Sequence, residues 1–323
     1  MSTSRVLRAI TVGLGVVGCG MAWGQAAYPA KPVRVIIVFP PGGATDIVGR
    51  IAFQKVGEQM NQQFIVDNRG GGGGTLGASV VAKSPADGYT LMVYSATFIV
   101  NAHIYRKLPY DTMKDFVGIT PVARLVGVLI VHPSMPVKTI QEFIDLAKKR
   151  PGEINYSSAG AGAFQHLAGS YFGTQTGIKM THVPYKGGAL AAASVAAGET
   201  QAMFAPIPEA MPHMQSKRVR AVAVFADKRV EQLPDIPAIN ETVKGFELVS
   251  WMGTFASAGT PSAIVERLNA ELKKAVSDPT VASKLSGQAL DPMHLPVDEF
   301  AKLLRSEYEK YGPIVKASGA RID

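Results

Sequence analysis

Two short glycine-rich stretches hold residues that could bind an anion without any charged side chain. One is PPGGATD, Pro40–Asp46, directly after the apolar run Val33–Phe39. The other is SSAGAG, Ser157–Gly162, directly after Ile154–Tyr156. In each, small residues break a strand and open a helix, and a hydroxyl or carboxylate stands where it could cap that helix. Such a turn leaves backbone N–H groups at the positive end of the helix dipole, a setting that favours a phosphate or carboxylate. The first turn nominates Gly42, Gly43, Ala44, Thr45 and Asp46. The second nominates Ser158, Gly160, Ala161 and Gly162, with His166 one turn into the following helix. A third segment, Tyr185-Lys186-Gly187, follows the strand-like run Thr181–Pro184 and offers an aromatic wall and an ammonium to a carboxylate. Each feature also has an ordinary structural explanation: a βα turn, a packed histidine, a surface lysine. Two turns of one kind, one in each half of the chain, favour two lobes gripping one anionic ligand.

Reactive constellations are missing. The six histidines are scattered, and neither an HExxH nor a GxSxG pattern occurs. The single cysteine, Cys19, lies near the N-terminus. Gly72-Gly73-Gly74-Thr75-Leu76-Gly77 matches a dinucleotide fingerprint, but the run after the next strand, LMVYSAT, lacks the acid that would bind ribose. These glycines are therefore read as a rim turn beside the cleft. No catalytic residue, metal site or cofactor is expected.

The elements that must carry the turns alternate. Apolar, β-branched runs fall at 33–39, 64–66, 91–94, 126–131, 180–183, 203–205 and 219–225. Helix-like segments lie between them, at 46–60, 76–83, 140–149, 164–174 and 190–197. This predicts an α/β fold with parallel sheets covered on both faces. Two amphipathic helices, 261–277 and 297–318, follow. The repeat of strand, glycine turn, helix and strand from Val33 and again from Ile154 divides the chain in two. Lobe 1 is read as residues 27–130 plus 229–323 and lobe 2 as 131–228, with two crossover segments forming a hinge.

Bulk properties fit this reading. The 323 residues suffice for two domains, and 47% hydrophobic against 18% charged residues excludes a disordered chain. Residues 1–26 read as a signal peptide: Arg5 and Arg8, an apolar stretch from Ala9, then Gly24 and Ala26 before a polar start. Cleavage would take the formal charge from +8 to +6, since it removes two arginines and no acid. Cys19 would leave with the signal; the alternative is a lipid anchor at Cys19, preceded by Val16-Val17-Gly18. Basic residues form no block and do not interleave with aromatics, which argues against nucleic acid. The expected location is the periplasm, and the expected state a monomer.

In order, YPAKPVRVIIVFPPGGATD, VDNRGGGGGTLGA, DGYTLMVY, KLPYD, INYSSAGAG, HLAG, HVPYKGG, LPDIP and FASAGTP resemble the Bug proteins, periplasmic receptors of tripartite tricarboxylate transporters. The resemblance implies a two-lobe periplasmic-binding-protein (Venus flytrap) fold. It implies a carboxylate held largely by backbone amides and waters, and two membrane subunits as partners. Family ligand loops correspond to Gly42–Asp46 and Ser158–Gly162, and a third cleft segment to Tyr185–Gly187. Two departures stand out. Relatives often read MFD-x-x-P where this chain has Met203-Phe204-Ala205-Pro206-Ile207-Pro208. Loss of that acid predicts a ligand without an amino group, such as a di-, tri- or aromatic carboxylate. Gly70 stands where relatives often have proline, which should loosen the rim. A sensor role, or an α/β enzyme acting on a carboxylate, are the alternatives.

Overall fold

In the computed structural model, residues 28–246, 248, 250–318 and 321–322 are described. Residues 1–26, read above as a signal peptide, lie outside them together with Cys19. The first lobe runs β1 (Val33–Ile37), α1 (Ala44–Met60), β2 (Phe64–Asn68), a 3-10 turn (Gly72–Gly74), α2 (Thr75–Ala82), β3 (Thr90–Ser95), α3 (Thr97–Ile104) and β4 (Phe116–Leu125). The second lobe runs β5 (Gly127–Val131), α4 (Ile140–Lys149), β6 (Asn155–Ser158), α5 (Phe164–Thr176), β7 (Thr181–Pro184), α6 (Gly188–Ala197), β8 (Ala202–Pro206), α7 (Ile207–Gln215) and β9 (Arg220–Val224). The chain then returns to the first lobe as β10 (Ser250–Ser257), α8 (Ser262–Ser277), α9 (Pro279–Ser286), β11 (Leu290–Pro292) and α10 (Val297–Ser318).

Two sheets result, ordered β11-β4-β10-β3-β1-β2 and β7-β6-β8-β5-β9. Strands β1, β2 and β3 are parallel, as are β6, β7 and β8. The all-parallel expectation fails at the edge strand β11, which runs antiparallel to β4, and at the strands next to the crossovers. β10 runs antiparallel to β3 and β4, and β5 antiparallel to β8 and β9. Each of these two strands enters its sheet from the other lobe, so no βα crossover sets its direction.

The crossings also differ from the sequence division. All of β5 pairs in the second sheet, so the chain changes lobe at Val126 and residues 127–130 belong with lobe 2. The return lies after Phe246. Val230, Leu233 and Ile236 pack against the second-lobe cluster around Val128 and Ile130, Val224 bridges to Ala238, and Phe246 packs on Tyr171, Phe172 and Phe225. The segment carries scattered apolar residues in no periodic pattern, so only packing assigns it.

Local chemistry accounts for the main elements. The interior strands β1, β5 and β8 are almost wholly buried, consistent with sequences that are apolar throughout apart from Arg34 of β1, which pairs with Asp67. Helix α1 turns Val48, Ala52, Phe53 and Val56 onto the first sheet and ends at Asn61 in the left-handed region. Helix α4 starts with a full capping box, the Thr139 side chain accepting from the Glu142 N–H and the Glu142 carboxylate from the Thr139 N–H. Phe98 and Trp251 pack with Phe255 and Phe300 in a first-lobe core.

Candidate functional site

The carboxyl ends of β1, β3, β6 and β8 face one another across the junction of the lobes, where open α/β sheets bind ligands. There α1, α5 and α7 start. Phe39, Gly43, Ala44, Thr45, Ser95 and Met252 come from lobe 1; Ala159, Phe164, Gln165, Gly188, Pro206 and Glu209 come from lobe 2. Together they enclose a cavity of about 20 Å³, room for roughly one water.

The first turn meets this cavity through Gly43, Ala44 and Thr45. Thr45 is buried, with its hydroxyl donating to the Met252 sulfur at 3.5 Å. Asp46 is engaged elsewhere. It accepts from the Gly42 N–H at 3.0 Å, from Arg50 Nε at 2.9 Å and from Asn68 Nδ2 at 2.9 Å. Burial alone would raise its pKa, but these hydrogen bonds hold it below the ordinary value. Asp46 therefore shapes the turn as an anion already satisfied.

The second turn is likewise closed upon itself. The Ser158 hydroxyl donates to the Gly160 carbonyl and accepts from the Gly160 N–H, both at 3.1 Å, and lies 2.6 Å from His182 Nε2. His166 Nδ1 accepts from the Gly162 N–H at 3.1 Å, so this nitrogen is unprotonated. The His166 and His182 rings stack with centroids 4.1 Å apart. Burial pushes both pKa values down to about 4, and in His182 the proximity of His166 adds to it. The Ala161 carbonyl accepts from the Tyr105 hydroxyl of lobe 1 at 3.2 Å.

The third segment stands at the cleft mouth rather than in the cavity. Tyr185 donates to Glu199 at 3.1 Å, Lys186 is exposed, and Gly187 lies against Pro40 of lobe 1. The rim turn touches the other lobe too. Gly73 packs on the second turn so closely that a Cβ there would strike the Ala161 carbonyl oxygen. Its own carbonyl accepts from Tyr94 at 2.6 Å and Asn101 at 3.2 Å. Gly70 sits against the Pro40 ring, a built Cβ standing 2.9 Å from Pro40 Cδ.

The sequence reading missed the residue at the centre. Glu209, in the first turn of α7, is buried between the lobes. Its Oε1 accepts from the Ala44 N–H at 3.1 Å, and its Oε2 from Gln165 Nε2 at 2.6 Å. Burial raises its pKa from 4.5 to about 7, against the pull of these two hydrogen bonds. An acid therefore lines the cavity from α7 although none stands at Ala205 in β8, so the missing acid no longer argues by itself for a ligand without an amino group. A glutamate near the start of a helix reads as a capping residue; the signal that could have found it is the direct strand-to-helix junction Pro206–Ile207, which opens α7 beside the cavity. Gln165, Ser95 and Met252 carried no signal.

The model of the tripartite tricarboxylate transporter family receptor, TctC, matches residues 48–320. The chain belongs to the TctC family. It is 36% identical over 291 residues to a protein from the tcbD-tcbE intergenic region of Pseudomonas sp. strain P51, covering 90% of this chain and 87% of the relative. Rpa4515 of R. palustris, solved with adipate, superposes at a TM-score of 0.87 with 32% identity, covering 90% of this chain and 98% of that one. The periplasmic binding protein BugD superposes at 0.87 with 28% identity, covering 91% and 99%. The TctC chain described here therefore has the two-lobe periplasmic-binding-protein fold and is a solute receptor of the Bug type. None of its described helices is long and apolar enough to cross a membrane.

Proposed function

We propose that this TctC receptor is exported to the periplasm. There it would bind a small carboxylate between its lobes and deliver it to the membrane subunits of a tripartite tricarboxylate-type transporter. One observation carries the reading: a strand-to-helix turn of each lobe reaches the same inter-lobe cavity, the first through Gly43, Ala44 and Thr45 and the second through Ala159. Adipate in Rpa4515 supports a carboxylate as the ligand class. In this reading the amides of Ser158–Gly162 exchange their present side-chain partners for ligand oxygens, and the first turn, Gly42–Asp46, meets the ligand with its Ala44 amide still on Glu209. A ligand touching both lobes has its full set of contacts only in the closed state, so binding shifts the population toward closure. The membrane subunits would then recognise the closed shape.

The test is a thermal-shift screen of the mature chain against dicarboxylates, tricarboxylates, aromatic acids, amino acids, sugars and nucleotides. A ligand at a hundred times its Kd stabilises by about 2.7 kcal/mol, which is readily seen. Stabilisation confined to carboxylates, with a smaller radius of gyration in solution scattering, is the expected outcome. Stabilisation by nucleotides alone would overturn the reading and return attention to Gly72–Gly77.

A further inference from the structure

Glu209 has no part in a cleft that holds carboxylates by backbone amides alone. It is nevertheless buried and held at both oxygens. The Ala44 N–H and Gln165 Nε2 each donate to one of its oxygens. Gln165 is itself oriented by the Ala159 N–H, which donates to its Oε1 at 3.4 Å. Gly188 leaves the carboxylate its space, since a Cβ there would strike both oxygens. The rest of the lining includes Phe39, Phe164, Pro206 and Met252, so the surroundings screen charge weakly.

Neither a lysine, an arginine nor a histidine is among the lining residues. The titratable groups Asp46, His166 and Lys186 of the packed elements are not in this lining either. Asp46 of α1 is paired with Arg50, His166 of α5 is bonded to the Gly162 N–H, and Lys186 before α6 is exposed. A second ligand carboxylate arriving here would meet a like charge with no cation to offset it. A group that donates a hydrogen bond would find a fixed acceptor.

Resting on the carboxylate-receptor reading, we propose that Glu209 determines specificity: it selects a carboxylate whose other end carries a hydrogen-bond donor over a fully ionised dicarboxylate. The ligand carboxylate takes the second turn, at Ser158–Gly162. The donor end (an amide, hydroxyl or ammonium) takes the Glu209 carboxylate beside Ala44.

Matched pairs test this: glutarate against glutaramate, and adipate against adipamate. Each pair differs only by a carboxylate replaced with an isosteric amide. Affinities are measured calorimetrically at pH 8 for the wild-type chain and Glu209→Gln. The wild type is expected to favour the monoamides by about tenfold or more, the scale of one charge-assisted hydrogen bond. In Glu209→Gln that ratio should fall to near unity. A second measurement needs no variant. At pH 6, where Glu209 holds its proton and the free diacids remain ionised, the wild-type ratio should shrink. Equal ratios in both proteins, or a ratio unchanged between pH 6 and 8, would overturn the assignment while leaving the receptor reading intact. Failure of every carboxylate and monoamide to bind either protein would overturn both.

Discussion

Replacing Glu209 by glutamine should stabilise the protein, and only at neutral to alkaline pH. Burial raises the Glu209 pKa from 4.5 to about 7. The folded protein therefore holds this proton more tightly than the unfolded chain does. Below about pH 4.5 both states are protonated and there is no penalty. Between pH 4.5 and 7 the unfolded chain ionises first and folding stability falls; above pH 7 the loss is complete. At about 1.4 kcal/mol per pKa unit, the full penalty is on the order of 3 kcal/mol. Glutamine keeps the shape, can accept from the Ala44 N–H and carries no charge. Thermal melts of the two proteins should coincide near pH 4.5 and separate by several degrees at pH 8, with Glu209→Gln higher. If ionised Glu209 instead leaves Ala44 and the lobes part, the cost is transferred to closure. Wild type at pH 8 would then have the larger radius of gyration. Identical melting temperatures and identical radii at pH 8 would refute the assignment of a buried, charge-penalised carboxylate.

Three further outcomes are expected. Gly73→Ala should hold the lobes apart, because its Cβ would strike the Ala161 carbonyl oxygen and its φ of +61° disfavours a side chain; scattering should show an expanded particle with unchanged circular dichroism. The His166–His182 pair should stay neutral to well below pH 6, and an NMR titration of the ring protons reads this directly. As both pKa values are depressed to about 4, stability should be lost as pH falls from 6.5 toward 4. Thr139→Ala, which removes one half of the α4 capping box, should cost about 1 kcal/mol in denaturant melts without altering the cleft.

Much of the fold was legible because long, buried α/β elements write their burial into the sequence. GVLIV is a continuous apolar run and VRVII is apolar but for Arg34, and both became interior strands. Pro261–Ser277 and Val297–Ser318 have helical spacing, and they became α8 and α10. The misses share a cause. Helix α7 contains Pro208 and Pro212, and it survives because a proline near the start needs no N–H partner and packing holds the rest. Strand β10, SWMGTFAS, alternates small and large residues in no clear period; both neighbours in the sheet, β3 and β4, bury it completely. Strand direction was illegible at β5 and β10 because it follows from which lobe the chain arrives from.

The site divides along a similar line. Backbone geometry is written locally, so the two strand-to-helix turns at Pro40–Asp46 and Ser157–Gly162 could be recognised from sequence, although only Gly43, Ala44 and Thr45 of the first and Ala159 of the second line the cavity. Side-chain partners are not written locally. Asp46, a candidate ligand contact, is consumed by Arg50 and Asn68, the latter 22 residues away, and Glu209 reaches Ala44 across 165 residues. What the sequence could nominate was an anion site made of amides; what folding adds is an internal anion already seated there. That addition changes the chemistry of the cleft. Turns that would attract two ionised carboxylates equally are made unequal, since one of them already faces the Glu209 carboxylate. A receptor whose two poles differ in this way can orient its ligand as well as hold it, and that asymmetry depends on Glu209 rather than on either glycine turn.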